Sequence, residues 1–225
     1  MKKFLIINPF GIGDVLFTTP VIRSIKESFP ASSIAYWCNE RVGDILRDNP
    51  CVDKVFALSR GDLKRISGYS RMQGLSRSWG LFSAIRKERF DISLDFSLEH
   101  RYSLISKLAG IKRRAGFDYK GRGRFLTESL PISGYQDRHA VEYYLGLLGF
   151  LGIKALNPGL ELAVNSEARN KARALLSDLG IGTKERVIGI APGGGVSWGK
   201  DAEYKHWQAE KFARVFGKLR LVTIG

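Results

Sequence analysis

The stretch Phe4-Leu5-Ile6-Ile7-Asn8-Pro9-Phe10-Gly11-Ile12-Gly13-Asp14 decides how the rest of the chain is interpreted. Its first four residues form an apolar run that is too short for a helix and is closed by Asn-Pro, which indicates a strand buried on both faces. Gly11 and Gly13 permit a sharp turn and allow a ligand to approach the main chain closely. The stretch therefore predicts a strand and a glycine turn that presents Asp14.

A helix is predicted after this turn, running towards Pro30, because its apolar residues gather into one stripe. Thr19-Pro20 leaves two possibilities for its start. Pro20 either kinks the helix or occupies its first position with Thr19 as the cap, in which case residues 14–18 form an irregular turn. Strand, glycine turn and helix suggest a nucleotide-binding fold, although Leu16 stands where the dinucleotide fingerprint has its third glycine.

Asp14 has two interpretations. It caps the helix, or it is a functional carboxylate at the carboxyl end of the first strand, where open α/β sheets bind ligands. The position near a helix start favours the ionised form, which is the form that a general base requires.

The remaining pattern alternates strands and helices, as in a doubly wound α/β domain. Residues 59–78 are basic, lack a clear period and are predicted to form a mobile loop. His139 begins a predicted helix, and its role is left open between a hydrogen-bonded structural residue and a part of the site. The predicted strands are 34–38, 55–58, 91–96, 114–117, 187–191 and 219–224, and the predicted helices are 41–48, 79–87, 102–108, 139–152, 167–179 and most of 204–216.

The most basic segment is 112–124, in which the cations alternate with glycines and face one acid, Asp118. It is either a solvated surface loop or a loop that wraps an anion. Anion binding is favoured because the segment adjoins a predicted strand, and because the planar arginine fork matches phosphate and carboxylate. The candidate acceptor-binding residues are Arg113, Arg114, Lys120, Arg122 and Arg124.

Four motifs, in this order and spacing, resemble glycosyltransferase family 9, the ADP-heptose:lipopolysaccharide heptosyltransferases. They are Gly11-Ile12-Gly13-Asp14-Val15-Leu16, residues 108–117, residues 139–144, and Pro192-Gly193-Gly194 leading to Tyr204-Lys205-His206-Trp207. The resemblance implies a GT-B type α/β fold and inverting, metal-independent transfer of heptose from ADP-heptose to the inner core of lipopolysaccharide. It also implies that Asp14 is the catalytic residue.

The donor site is predicted from glycines and one cation. Backbone N–H groups of Gly193, Gly194 and Gly195 can form an anion nest, with Lys205 as a point charge on the diphosphate and Gly11 and Gly13 beside it. The sequence has no Asp-x-Asp for a metal, and neither a metal nor another cofactor is expected. Ala191 and Gln208 depart from residues common in the family, asparagine and proline, which weakens the detail of this site.

Domain boundaries follow from Asn157-Pro158-Gly159, which reads as a linker. Residues 1–156 are predicted to form an N-terminal, acceptor-side Rossmann-like domain. Residues 157–225 are predicted to form part of a C-terminal donor domain. A domain of this class normally needs more residues than these, so the chain is expected to be truncated and to bind the donor poorly.

Composition bounds the class of partner. The chain has 225 residues, 44% of them hydrophobic, and a formal charge of +14. It contains no apolar run of about eighteen residues and no signal peptide pattern, so it is expected in the cytoplasm, with peripheral contact to the inner membrane surface. The charge predicts an anionic partner, such as a core glycolipid. Cys38 and Cys51 are expected to be reduced.

Two other function classes remain open. The chain could be a non-catalytic glycolipid-binding protein, the acceptor half of such an enzyme. It could also bind nucleic acid, which the charge permits, but the cations cluster in glycine-rich loops and no RNA or DNA motif accompanies them.

Overall fold

The computed structural model describes residues 1–58, 71–155, 159–182, 185, 187–188 and 207–216. The chain divides into two compact units, Met1–Ala163 and Val164–Gly225. The first contains β1 Lys3–Asn8, α1 Ile12–Leu16, α2 Thr19–Ser28, β2 Ser33–Cys38, α3 Gly43–Arg47, β3 Lys54–Ala57, α4 Arg71–Glu88, β4 Ile92–Asp95, α5 His100–Leu108, β5 Arg113–Tyr119, β6 Glu128–Ile132 and α6 Ala140–Gly146, followed by a 3-10 helix Leu147–Leu151. The second contains α7 Ser166–Asp178 and α8 Ala209–Phe216.

The strands of the first unit form a six-stranded sheet in the order β3-β2-β1-β4-β5-β6. All five neighbouring pairs are parallel. The chain adds strands outwards from β1 in one direction and then outwards from β4 in the other, so the order reverses between these two strands. In an open α/β sheet this reversal leaves a crevice at the carboxyl edge, where ligands bind.

Both faces of β1 are buried, as the apolar run predicts. Phe4 and Ile6 belong to a core that packs on α2, α3 and α6. Leu5 and Ile7 belong to a second core, on the opposite face, that packs on α4 and α5. The successive side chains of a strand point to opposite faces, so one apolar run serves two cores.

Two elements differ from their sequence prediction. Helix α4 begins at Arg71, whereas 71–78 were expected to continue a loop; 59–70 lie outside the described residues. This helix has no clear apolar stripe, so its period is not visible in the sequence. Strand β6 was not predicted, because it is short and contains Pro131. It lies at the end of the sheet order, where a missing N–H can be tolerated.

In the second unit, α7 is close to its predicted bounds. The side chain of Asn165 caps this helix by accepting a hydrogen bond from the N–H of Ala168 at 2.7 Å. The strand predicted for 219–224 and most of the one predicted for 187–191 lie outside the described residues. The division into acceptor and donor domains at 156/157 stays a prediction.

Gly116 has a packing role that differs from the flexibility suggested by its place in the basic segment. It is a buried residue inside β5, opposite Asp95 of β4. A Cβ at this position would lie 2.7 Å from the carbonyl oxygen of Asp95 and 3.1 Å from the side chain of Leu126. Glycine is therefore required here for close packing.

We expect Gly116→Ala to lower the free energy of unfolding by about 1–3 kcal/mol, because the added methyl group would overlap a backbone atom that cannot move independently of β4. Urea denaturation measures the change. Gly149→Ala is the control, since a Cβ at that exposed glycine would meet nothing within 4 Å. Equal stability of the two variants would contradict the packing role.

Candidate active site

The turn that carries Asp14 leaves the sheet at the carboxyl end of β1, next to the point where the strand order reverses. Residues 12–16 form the short helix α1, and α2 begins separately at Thr19 with Pro20 in its first turn. Of the two possibilities for Pro20, the structure has the helix start, although Thr18 rather than Thr19 precedes it. Asp14 is half-buried. A carboxylate is thus presented where this class of sheet binds ligands.

Asn8, the last residue of β1, holds both sides of the glycine turn. Its side chain is fully buried. Its Oδ1 accepts a hydrogen bond from the N–H of Phe10 at 3.1 Å, and its Nδ2 donates one to the carbonyl oxygen of Asp14 at 2.9 Å. The backbone of Asp14 is therefore tied directly to the end of the central strand.

A second set of bonds holds the next carbonyl of α1, that of Val15. The hydroxyl of Thr18 donates to the carbonyl of Val15 at 2.6 Å and lies 2.8 Å from the hydroxyl of Tyr36 on β2. Because the Thr18 proton is used by Val15, the Tyr36 hydroxyl is the donor in that pair. Burial raises the pKa of Tyr36 well above its ordinary value, so the hydroxyl stays protonated and can keep donating.

Two further tyrosines lie near Asp14. Burial is the main cause that raises the pKa of Tyr135 to about 12, and the charge of Asp14 contributes to the shift. The pKa of Tyr144 is raised for the same reasons, burial first. The two hydroxyls influence each other, but neither makes a hydrogen bond of normal geometry with another described residue. The neighbourhood of Asp14 therefore contains protonated phenols.

Sequence reasoning missed Tyr36, Tyr135 and Tyr144. Tyr36 could have been singled out from the sequence, because a tyrosine inside a strand that is buried on both faces needs a hydrogen-bond partner. The other two come from the segment around α6, which the sequence does not connect with the first turn.

His139 is the N-cap of α6. Its Nδ1 accepts a hydrogen bond from the N–H of Val141 at 3.3 Å, and its ring meets the ring of Phe17 edge-on with 4.8 Å between centroids. These contacts support the structural interpretation of this histidine.

The structure separates the predicted acceptor-binding cations into two groups. Lys120 and Arg122 follow the end of β5, so they lie at the same edge of the parallel sheet as Asp14. Both are exposed, and both flank the ring of Tyr119, at 5.0 and 5.7 Å from its centroid. Arg124 is also exposed and lies over the ring of Phe125 at 4.7 Å.

The turn that carries Lys120 and Arg122 is stabilised by a hydrogen bond between residues of the same segment. The carboxylate of Asp118 accepts a hydrogen bond from the N–H of Gly123 at 2.9 Å. Lys120 and Gly121 both have positive φ values, 55° and 73°. Asp118 thus shapes the basic turn, and two cations project from a defined backbone.

Arg113 and Arg114 lie instead at the start of β5, at the opposite edge of the sheet from Asp14. Arg113 forms an ion pair with Glu128 at 2.9 Å and donates to the carbonyl of Phe150. Arg114 donates to backbone carbonyls, including that of Phe125 at 2.7 Å, and partial burial lowers its pKa. The structure does not bring these two arginines to the Asp14 crevice.

The predicted donor site is only partly described. Gly193, Gly194, Gly195 and Lys205 lie outside the described residues. Gly11 and Gly13 are exposed in the turn that leads to Asp14, and a Cβ on Gly11 would lie 3.9 Å from the Asp14 carboxylate. The donor-binding role of all six residues stays a prediction.

Asp95 is a second carboxylate at this edge of the sheet, at the end of β4. It is buried, and its Oδ1 accepts a hydrogen bond from the N–H of Ser97 at 2.9 Å. Leu94 belongs to the core on the α2 side, so the alternation of a strand points Asp95 to the other face from Asp14. Burial raises its pKa from 3.8 to about 6.

Fold and site together define a doubly wound α/β domain with a braced carboxylate at its switch point. The family whose model matches residues 78–221, more than half of the chain, is described as glycosyltransferase family 9 (heptosyltransferase). The chain belongs to this family. The similar curated proteins include lipopolysaccharide heptosyltransferase 3 of Escherichia coli K12, which is 24% identical over 213 residues. That match covers 92% of this chain and 57% of the relative.

Solved structures show the same fold. The structure of a family 9 glycosyl transferase from Veillonella parvula matches with a TM-score of 0.77 and 24% identity, over 95% of this chain and 58% of that chain. The Escherichia coli ADP-heptose lps heptosyltransferase II matches with a TM-score of 0.68 and 18% identity, over 97% and 61%. The predicted GT-B type α/β fold is thereby confirmed, and the chain spans less than two thirds of the length of each relative.

Asp95→Asn is expected to change how stability depends on pH. Because its folded-state pKa is raised, Asp95 contributes stability that is fully present below about pH 4 and is lost as the pH rises through about 6. The shift in the pKa of Asp95 corresponds to about 3 kcal/mol in the free energy of unfolding. The asparagine stays neutral and keeps an acceptor for Ser97, so the variant should gain stability over the wild type at pH 7.5 but not at pH 4.

Urea denaturation of both proteins at the two pH values measures this difference. Asp44→Asn, which changes an exposed carboxylate on α3, is the matched control and should show no such pH-dependent gain. An equal effect of Asp95→Asn at both pH values would show that the carboxyl does not titrate as described.

Proposed function

We propose that this chain provides the acceptor-side part of a heptosyltransferase-like glycosyltransferase that moves heptose from ADP-heptose to the inner core of lipopolysaccharide. The observation that carries the proposal is Asp14, a half-buried carboxylate braced at the switch point of a chain of this family. A curated relative is named lipopolysaccharide heptosyltransferase 3, and a similar structure is named for ADP-heptose. These names support the classes of donor and acceptor.

In the proposed reaction Asp14 acts as the general base. Its carboxylate takes the proton of an acceptor hydroxyl while that oxygen bonds to the anomeric carbon of heptose, and the bond from this carbon to ADP breaks with the electron pair leaving on the diphosphate. Attack from the side opposite to the leaving group inverts the anomeric centre. The step needs no metal ion or other cofactor if protein cations and N–H groups stabilise the departing diphosphate. Gly193, Gly194, Gly195 and Lys205, with Gly11 and Gly13, are proposed for that role.

The acceptor is proposed to bind at the basic turn of Lys120 and Arg122. Both cations are exposed at the edge of the sheet that holds Asp14, and the turn is fixed by Asp118. The phosphate and carboxylate groups of a lipopolysaccharide core would suit them, because cations bind such groups through charge-assisted hydrogen bonds. Arg124 lies further along the same segment and is proposed as a peripheral contact.

The net charge of +14 supports peripheral contact with the anionic inner surface of the cytoplasmic membrane, where a core glycolipid is built. Among the described residues, no helix is both long enough and apolar enough to cross a membrane. The second candidate function, glycolipid binding without catalysis, is favoured by the basic turn alone, since it needs neither Asp14 nor a donor.

We expect Asp14→Asn to lower transfer of heptose by roughly 10²- to 10⁴-fold, because asparagine is nearly isosteric but cannot accept the proton. Release of ADP from ADP-heptose in the presence of a heptose-accepting core glycolipid measures the rate. Circular dichroism and urea denaturation should show an unchanged fold.

Asp95→Asn serves as the matched control, since it removes another carboxylate at this edge of the sheet but on the opposite face. Transfer that survives in Asp14→Asn and disappears in Asp95→Asn would show that the base is wrongly assigned. Glycolipid binding by the wild-type chain without ADP binding or transfer would favour the non-catalytic alternative.

The pair Lys120→Ala and Arg122→Ala should weaken binding of a phosphorylated core glycolipid by roughly 10- to 100-fold, because two charge-assisted contacts are lost. Binding measured by calorimetry at 50 and 300 mM salt should also become less salt-dependent. Lys107→Ala with Lys112→Ala removes the same charge from exposed residues near the opposite edge and is the control. Similar losses of glycolipid binding in both double variants would show that the net charge of the protein, and not the position of Lys120 and Arg122, causes the effect.

A further inference from the structure

The hydrogen bonds of Asn8 distinguish it from two other asparagines that form turns in the described part of the chain. Asn39 and Asn49 each accept a bond from the N–H two residues later, at 3.1 and 2.9 Å. Asn8 does the same with Phe10, but its Nδ2 reaches four residues further and donates to the carbonyl of Asp14. The side-chain amide thus spans the whole glycine turn.

Helix α1 depends on such external contacts. It has five residues, and its N-cap, Gly11, makes no side-chain capping bond. A helix of this length does not hold itself in water, because nucleation is costly and few internal bonds repay it. Asp14 therefore sits on an element whose position must be fixed by its neighbours.

Two braces supply that position by binding the carbonyl oxygens of two adjacent residues of α1. Asn8 of β1 binds the carbonyl of Asp14, and the Thr18–Tyr36 pair, anchored on β2, binds the carbonyl of Val15. Asn8 and Tyr36 are fully buried, and they lie on adjacent paired strands. Burial is the largest cause that raises the pKa of Tyr36, and the side chain of Asn8 partly offsets it, so the two braces influence each other.

We propose that Asn8 is a positioning residue for Asp14: by binding the carbonyl oxygen of Asp14 it fixes the backbone from which that residue's side chain projects. The inference rests on the proposed function, in which Asp14 is the base. A general base must lie within hydrogen-bond reach of the proton that it removes, and a displacement of about 1 Å is enough to cost roughly 10²-fold in rate.

Asn8→Ser is the sharpest test variant. The serine hydroxyl can still accept a bond from the N–H of Phe10, as in other serine turns, but it is too short to reach the carbonyl of Asp14. Asn49→Ser is the matched control, because Asn49 is also buried. Its Oδ1 accepts a hydrogen bond from the N–H two residues later, that of Cys51, as Asn8 does from Phe10, but this bond does not involve a site residue.

Two measurements are made on each protein. Three-bond NMR couplings to the Asp14 Cγ report its χ1 rotamer and need no turnover. Steady-state transfer from ADP-heptose gives kcat and KM. In Asn8→Ser we expect averaged χ1 couplings and a kcat lower by roughly 10- to 100-fold with little change in KM. Asn49→Ser should match the wild type in both.

Unchanged χ1 couplings in Asn8→Ser would overturn the proposal, and so would an equal loss of kcat in Asn49→Ser. If Asn8→Ser does not fold, Asn8→Thr, whose hydroxyl is equally short and whose branched side chain suits a strand, is expected to average the same couplings; wild-type couplings in that variant would overturn the proposal. Averaged couplings in Asn8→Ser together with full transfer by Asp14→Asn would instead refute the base assignment, so failure of the proposed function is separately visible.

Discussion

The pairing of β1 with strands on both sides is the constraint on which the rest of the structure depends. Its hydrogen bonds to β2 and β4 and its two apolar faces fix it completely within the first unit. The chain can leave this strand only at the carboxyl edge, where the strand order reverses. Asn8, the last paired residue, then transfers the rigidity of the sheet to a turn whose glycines have little rigidity of their own. The packing of the core therefore determines the position of Asp14.

The sequence predicted the parts of this arrangement that are local. The apolar run of β1, the glycine turn and Asp14 are contiguous, so their order alone suggests a strand that ends at a ligand crevice. Tyr36, Tyr135 and Tyr144 could not be assigned in the same way, because they come together only when distant elements pack. The acceptor-binding role of Arg113 and Arg114 stays a prediction. Their distance from Asp14 was not visible in the sequence, because a charge run suggests one surface whereas a strand divides it between two edges of the sheet.

The division of the basic segment has an electrostatic meaning. Cations at the start of β5 are neutralised by Glu128 or solvated by backbone carbonyls, so they act mainly within the fold. Cations after its end project from a turn shaped by Asp118 and remain exposed. A formal charge therefore says little about where an anion will bind until the internal partners are known. Asp95 is a further example, because its burial makes its charged form destabilise the fold at neutral pH, and it is not a second reactive carboxylate.

The central place of β1 also determines the order in which the protein can fold. The backbone N–H of Lys3 binds the side chain of Asp91, 88 residues later in the chain, and β1 pairs with β4 in the same region. During synthesis the first strand therefore emerges long before one of its two neighbours exists. Contacts so distant in sequence slow folding, because the chain must close a long loop before they form. Until then a strongly apolar strand stays open on one edge, so chaperone binding to the nascent chain is expected to concentrate on this strand.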